Sequence, residues 1–252
     1  MTPRILFLDT ENAPNLVCTW GIHEQRVSDT DIIHDWFFLS GQWSWNDSKQ
    51  VNVVSILDNK TRFKKNFRDD YHVVKTISDV IREAHIVVGH NLKGHDWPKL
   101  LAKIAEYEIT PLPQVMLVDT LDWARRFGFT SRKLSYLCRK LSLQEKLTHS
   151  PGAFVKAAMG DQKAIKDIVD YGRGDVPTLR QLYHKLKPYA HSHPNMNLWR
   201  GDGVECCPRC GSTEFKKDGC KYNLTTVRQQ FACHSCGHKF TSVKSIKTVG
   251  MK

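Results

Sequence analysis

The chain has 252 residues and a mass of 29.0 kDa, enough for one large domain or one domain with a small appendage. Lys and Arg number 37 against 26 Asp and Glu, a net charge of +11, which favours a polyanionic partner, usually nucleic acid, unless the protein is merely a soluble basic one. No stretch approaches the ~20 apolar residues that span a bilayer, and Met1-Thr-Pro-Arg leads into a short apolar run without a signal-peptide pattern, so membrane and secreted readings are set aside.

Arg4 to Asp9 (RILFLD) is a short apolar run ending on an acid and reads as a buried strand. Trp36–Ser40 and Val51–Leu57 read as strands joined through a turn at 41–50. Val73 to Ala84 has helical spacing, and His85 to Gly89 (HIVVG) is strand-like again. Trp97 to Tyr107 is helical, with Pro98 suited to its first turn. A strand at Val115–Val118, helices near 120–127 and 132–141, and a long helix over Asp161–Lys187 complete the domain. Strands alternating with helices after an initial meander predict an α/β fold with a mixed sheet flanked by helices.

Acids sit at the ends of these elements. Asp9 and Glu11 lie in LFLDTEN, where residues i and i+2 of a strand share one face and can meet one centre. Two carboxylates brought together call for a cation, and Mg²⁺ or Mn²⁺ suits oxygen ligands; the plainer reading is a solvated strand end. Asp96 follows the strand and turn Val87–His95 and starts the next helix, where an N-cap is the plainer role. Asp119 reads as a helix cap as well. Tyr171 and Asp175 are i and i+4 of the last helix and would point together, although Gly172, Gly174 and Pro177 predict a kink near 172–177, the two glycines alternatively allowing close approach to the first strand. Trp36, Phe37, Trp43 and Trp45 suit core packing or stacking on unpaired bases. The run Arg62, Lys64, Lys65, Arg68, with Phe63 and Phe67 interleaved, suits phosphate contacts or a solvated loop.

Six of the eight cysteines fall after residue 205. Cys207-Pro-Arg-Cys210-Gly and Cys233-His-Ser-Cys236-Gly are two C-x-x-C pairs, each followed by a glycine able to take the positive φ of a tight knuckle. Four thiolates from two such knuckles make a closed tetrahedral site for one structural Zn²⁺ in a zinc ribbon. Cys206 in place of Cys207 would give the rarer C-x3-C spacing. Cys18, Cys138 and Cys220 read as small buried or spare thiols. Free thiols beside a thiolate metal site imply a reducing cytoplasm. The stretch around 188–203, with two prolines and two glycines, reads as a linker or docking arm. The expected domains are therefore 1–195 and 204–245. Residues 201–252 carry nine basic and four acidic side chains, and Lys216, Lys217, Lys221, Arg228 and Lys239 suggest that the ribbon binds nucleic acid or docks on a protein partner.

D-x-E after the first strand, N-x3-H-D after a central strand and Y-x3-D late in the domain, taken in order, resemble the DEDD superfamily of 3′–5′ exonucleases in its tyrosine-bearing branch. Residues 4–187 are similar to the exonuclease domains of family B DNA polymerases. The stretches Val118-Asp119-Thr120-Leu121, Lys133-Leu134-Ser135-Tyr136-Leu137-Cys138 and Asp175-Val176-Pro177-Thr178-Leu179 add to the likeness. His95 stands where that family carries Phe or Tyr. The resemblance implies an RNase H-like fold and four metal-binding carboxylates, Asp9, Glu11, Asp96 and Asp175, holding two Mg²⁺ or Mn²⁺ ions. It implies Tyr171 as the residue that orients the attacking water. The implied reaction is hydrolysis of phosphodiester bonds, of single-stranded DNA from its 3′ end, with release of 5′-mononucleotides. RNA as substrate, or a catalytically silent nucleic-acid-binding protein, are the alternatives. A replication or repair protein is the kind of partner the ribbon would meet, in a bacterial or phage-infected cell.

Overall fold

The first apolar run becomes β1, Ile5–Asn12, extending three residues past Asp9 so that Asp9 and Glu11 both lie within the strand. The computed structural model describes residues 3–21, 23, 26–143, 152–190, 192–199 and 204–250. These form two units, Arg4–Leu182 and the residues from Tyr183 onward. In the first unit β1 is followed by a small hairpin, β2 (Leu16–Val17) and β3 (Ile32–His34), then β4 (Phe38–Trp45) and β5 (Asn52–Ser55). Then come α1 (Lys60–Lys65), α2 (Tyr71–Arg82), β6 (Ile86–Gly89), α3 (Asp96–Glu106) and β7 (Met116–Asp119). Short helices α4 (Thr120–Ala124), α5 (Leu134–Lys140) and α6 (Ala153–Ala158) precede α7, Gln162–Leu186.

The sheet has the order β5-β4-β1-β6-β7, with β1, β4 and β5 antiparallel and β6 and β7 added parallel to β1. The expected mixed sheet flanked by helices is therefore present. The expected turn at 41–50 starts later, because β4 runs through Gly41 to Trp45. Gly41 is in the strand for a packing reason: a Cβ there would lie 2.5 Å from the Ile77 side chain of α2. Glycine was read as a turn signal where it marks a close approach.

Strand alternation divides the residues of β1 between two helix layers. Leu6, Leu8 and Thr10 share the face on which α2 and α3 pack, for Gly41 pairs with Thr10 and carries Ile77 above it. Phe7, Asp9 and Glu11 take the other face, where the Arg180 guanidinium of α7 lies 5.6 Å from the Phe7 ring centroid. Phe37 and Trp43 are buried in the core, while Trp36 and Trp45 pack on its margin. Arg62, Lys64 and Lys65 belong to α1, a helix capped by Asn59.

The last helix of this unit continues as one element across 172–177, with Pro177 inside it. Pro177 cannot donate to the carbonyl four residues back, while the Thr178 hydroxyl donates to Gly174 O at 2.9 Å in the adjoining turn.

The second unit holds β8 (Phe215–Tyr222), β9 (Thr226–Cys233), β10 (Lys239–Thr241) and β11 (Lys247–Thr248), with β9 pairing to each of the others. The described residues of the expected linker are packed within this unit. Met196 N donates to Pro208 O and Asn197 Nδ2 donates to Cys206 O at 2.9 Å. Arg209, between two of the cysteines, donates to the Pro188 and Ala190 carbonyls. The described residues of 183–199 thus cluster with the ribbon, although the sequence boundary assigns most of them to the first domain. Among the described residues no helix is long and apolar enough to cross a membrane.

Candidate active site

Asp9, Glu11 and Asp175 converge: each offers a carboxylate oxygen, and these oxygens lie within 4.8 Å of one another. Two causes bring them together. The period of two along β1 puts Asp9 and Glu11 on the α7 face. Glycine at 172 then lets α7 come down on the sheet, since a Cβ there would lie 2.7 Å from Gln42 Nε2. Gln42 is the residue of β4 directly opposite Asp9. One helical turn therefore seats against the acid-bearing register of the sheet, and Tyr171 and Asp175 flank it on a continuous helix.

Asp96 is placed differently. It is the first residue of α3, with His95 at the N-cap, so it is not itself the cap. Its carboxylate accepts from the Thr10 hydroxyl at 2.5 Å. Thr10 points to the opposite face of β1 from its neighbours, so the Asp96 carboxylate lies outside the three-acid group. Burial pushes Asp96 up to about 6, against the opposing effect of the Thr10 hydrogen bond. His95 is exposed, and its Nε2 lies 3.2 Å from Asn12 Nδ2 at the end of β1. Burial first, then the Lys99 charge, hold its imidazole below the usual range.

Asp119 holds the turn before Asp96 in shape. Its carboxylate accepts from Asn91 N at 2.9 Å, from Lys93 N at 3.0 Å and from Leu121 N at 2.9 Å. It caps α4 as the sequence suggests and also fixes a turn in which Asn91 takes a φ of +66°, a conformation asparagine tolerates.

Asp9 and Asp175 line a cleft of about 600 Å³ together with Tyr171, Arg125, Arg132 and Lys133. Arg125 is paired with Asp122 at 2.5 Å; among the described residues Arg132 and Lys133 make no ion pair. The loop carrying them is tied down by His90, whose Nε2 lies 2.9 Å from Arg132 O and whose Nδ1 lies 2.9 Å from Thr120 Oγ1. Sequence reading missed Thr10, Gln42, His90 and these three cations. The adjacent pair Arg132-Lys133 before a helix was the one visible signal.

A family model described as the RNase H superfamily matches residues 42–187, a span that includes Asp96, Tyr171 and Asp175 and begins after Asp9 and Glu11. The chain belongs to the RNase H superfamily. This superfamily chain is 32% identical over 115 residues to DNA polymerase III PolC-type of Mycoplasma pneumoniae, a match covering 42% of its length and 7% of the polymerase. It also matches the structure of the family B DNA polymerase from the hyperthermophilic archaeon Pyrobaculum calidifontis, with a TM-score of 0.56 and 17% identity. That match covers 74% of this chain and 25% of the polymerase, and at this identity it shows a shared fold.

In the second unit, Cys207, Cys210, Cys233 and Cys236 form a second cluster, their Sγ atoms within 4.8 Å of one another. Cys207 and Cys236 are 3.7 Å apart, and Cys210 and Cys233 are 3.5 Å apart. Four sulfurs at Zn–S distances near 2.3 Å would sit about 3.8 Å apart around a tetrahedral ion, so the donor set fits zinc. Gly211 and Gly237 take φ of +78° and +69° and donate back to Cys207 O and Cys233 O, closing the two knuckles. Cys206 instead meets Asn197 Oδ1. Cys138 is buried, and Cys18 and Cys220 are exposed.

Proposed function

We propose that the chain is a metal-dependent 3′–5′ exonuclease of single-stranded DNA, with Asp9, Glu11, Asp96 and Asp175 as its metal-binding carboxylates and Tyr171 as the residue that orients the attacking water. The convergence of Asp9, Glu11 and Asp175 in a cationic cleft carries this reading. Like charges this close repel unless a cation lies among them, and an all-oxygen donor set fits Mg²⁺ or Mn²⁺. Two bound ions would supply an activated water and stabilise the leaving 3′ oxygen.

The chain's own groups do the rest. Arg132 and Lys133, in the cleft they share with Asp9 and Asp175, hold the phosphodiester backbone. The Tyr171 hydroxyl, able to donate and accept, keeps the water in line. Asp96 is bound to the Thr10 hydroxyl on the other face of β1 and would have to exchange that bond to join the set. Superfamily membership supports a nuclease, and two DNA polymerases among the matched proteins support DNA over RNA.

A 5′-labelled single strand with Mn²⁺ should give a descending ladder, abolished by EDTA and reduced at least ~100-fold by Asp9→Asn, since removing one catalytic electrostatic group costs on the order of 10²–10³ in rate. Wild-type activity in Asp9→Asn would refute the site, and products released from the 5′ end would refute the direction.

The ribbon is proposed to hold one structural Zn²⁺ and to contact nucleic acid through Lys216, Lys217, Lys221 and Arg228. Lys239 is already paired with Asp218 at 2.7 Å. Cys207→Ser should lower zinc from one per chain to none and weaken strand binding. Unchanged binding after zinc loss would assign the ribbon to a protein partner instead.

A further inference from the structure

We infer that a second cleft in the first unit, built around Trp36, is a subsite for an unpaired nucleotide lying upstream of the 3′ end held at the acids. The inference rests on the exonuclease reading for the polarity of the strand. The cleft has a volume of about 580 Å³ and is lined by Trp36, Tyr71, Tyr107, Arg62, Arg68 and Lys103 among others. A space of that size holds a nucleotide.

Its walls are fixed from beneath. Asp70 is fully buried, accepts from Phe38 N at 2.7 Å and accepts from the Tyr107 hydroxyl. Tyr71 meets the Tyr107 ring edge-on at 5.4 Å. Buried Lys103 lies 4.0 Å from Asp70 and 2.8 Å from Glu106. The aromatic faces are thus held in place before a ligand arrives, which lowers the ordering cost of stacking a base.

The charges point to an anion that carries a ring. Asp69 is occupied by Arg62 at 2.9 Å and Glu106 by Lys103. Asp35 and the buried Asp70 remain on the acidic side, and Arg68 in the lining and Lys99 over Trp36 on the basic side. Among the described residues neither Arg68 nor Lys99 makes an ion pair. Each lies over an aromatic ring, Arg68 at 4.2 Å from the Phe67 centroid and Lys99 at 4.0 Å from Trp36. A cation on a ring face is readily exchanged for a base on that face with the cation on its phosphate.

A line of neighbours joins this cleft to the acids. Asn12 follows Glu11 and meets His95; Lys99, one turn further along α3, donates its backbone N–H to His95 O at 3.3 Å and covers Trp36. A strand whose 3′ end lies at Asp9 and Glu11 can follow that line over the end of β1 to Trp36.

The test is strand binding in EDTA, which does not depend on hydrolysis. Affinities of the full chain for dT12 and for dT2, which has a single internucleotide linkage, are measured by fluorescence anisotropy competition. Trp36→Leu and Arg68→Ala should each weaken dT12 at least ~5-fold, the lower end expected for one stacked base, and leave dT2 within twofold. Trp36→Phe should stay near wild type. Arg68→Ala, at a half-buried position on the edge of the core, serves if Trp36→Leu fails to fold. The subsite is overturned if dT12 affinity is unchanged in Arg68→Ala, or if dT2 and dT12 weaken equally. Hydrolysis of dT12 with Mn²⁺ is scored separately. An inactive wild type with length-dependent binding intact removes the nuclease reading and leaves the cleft. An active enzyme with variant-independent binding does the reverse.

Discussion

Gly172 shows how one missing methyl group sets a centre. The turn Tyr171–Asp175 reaches Asp9 because no Cβ stands between α7 and Gln42. Gly172→Ala should move the helix outward, cost roughly 1–3 kcal/mol as overpacking does, and lower nuclease activity more than tenfold. Chemical denaturation and the strand-shortening assay read the two effects. Shortening the opposing side chain in Gln42→Ala, Gly172→Ala should recover part of both, because the two positions share one contact. Additive losses would mean the glycine matters for another reason. Thr10 carries a second lesson at this scale: one residue between two acids, facing the other way, decides that Asp96 lies across the strand from its expected companions.

Elements position the cations as well as the acids. The end of β6 supplies His90, which joins Thr120 at the start of α4 to the Arg132 carbonyl before α5. Removing that brace frees the segment that carries Arg132 and Lys133 over the cleft. His90→Ala should raise KM for single-stranded DNA several-fold while kcat changes little, a pattern that distinguishes substrate holding from chemistry. A fall in kcat with unchanged KM would place His90 in the reaction itself. Helix α7 is the strongest case of an element overriding local preference. Two glycines and a proline oppose it, yet it runs unbroken for 25 residues, its apolar residues Ile165, Ile168, Val176 and Leu179 buried. Burial along a whole face outweighs the few kcal/mol of unfavourable propensity.

At the level of the molecule, acid sensitivity should come from the second unit. His193 Nε2 lies 2.7 Å from the Tyr183 hydroxyl, and burial, then the Lys187 charge, hold its imidazole down to about 4. The unfolded chain binds that proton near 6.5. Stability contributed by the neutral ring is therefore complete above 6.5 and is lost as pH falls towards 4, by at most about 3 kcal/mol. His193→Gln should flatten the fall in melting temperature between pH 7 and pH 5 relative to wild type. An identical slope would assign the acid response to other groups, the cysteines foremost.

The sheet strands, the main helices, the cysteine knuckles and the face shared by Asp9 and Glu11 were legible in the letters, because each follows from local periodicity or from spacing within a few residues. Trp36, Arg62 and Arg68 were visible as an aromatic and a basic signal, but not as walls of one cleft. Gly41 looked like a turn residue, Gly172 like either a kink or a place of close approach, and the side of β1 on which Asp96 lies could not be read at all. Those outcomes depend on which helix packs on which face of the sheet and how closely. That is a property of side chains far apart in the chain excluding one another in space, and no local pattern encodes it.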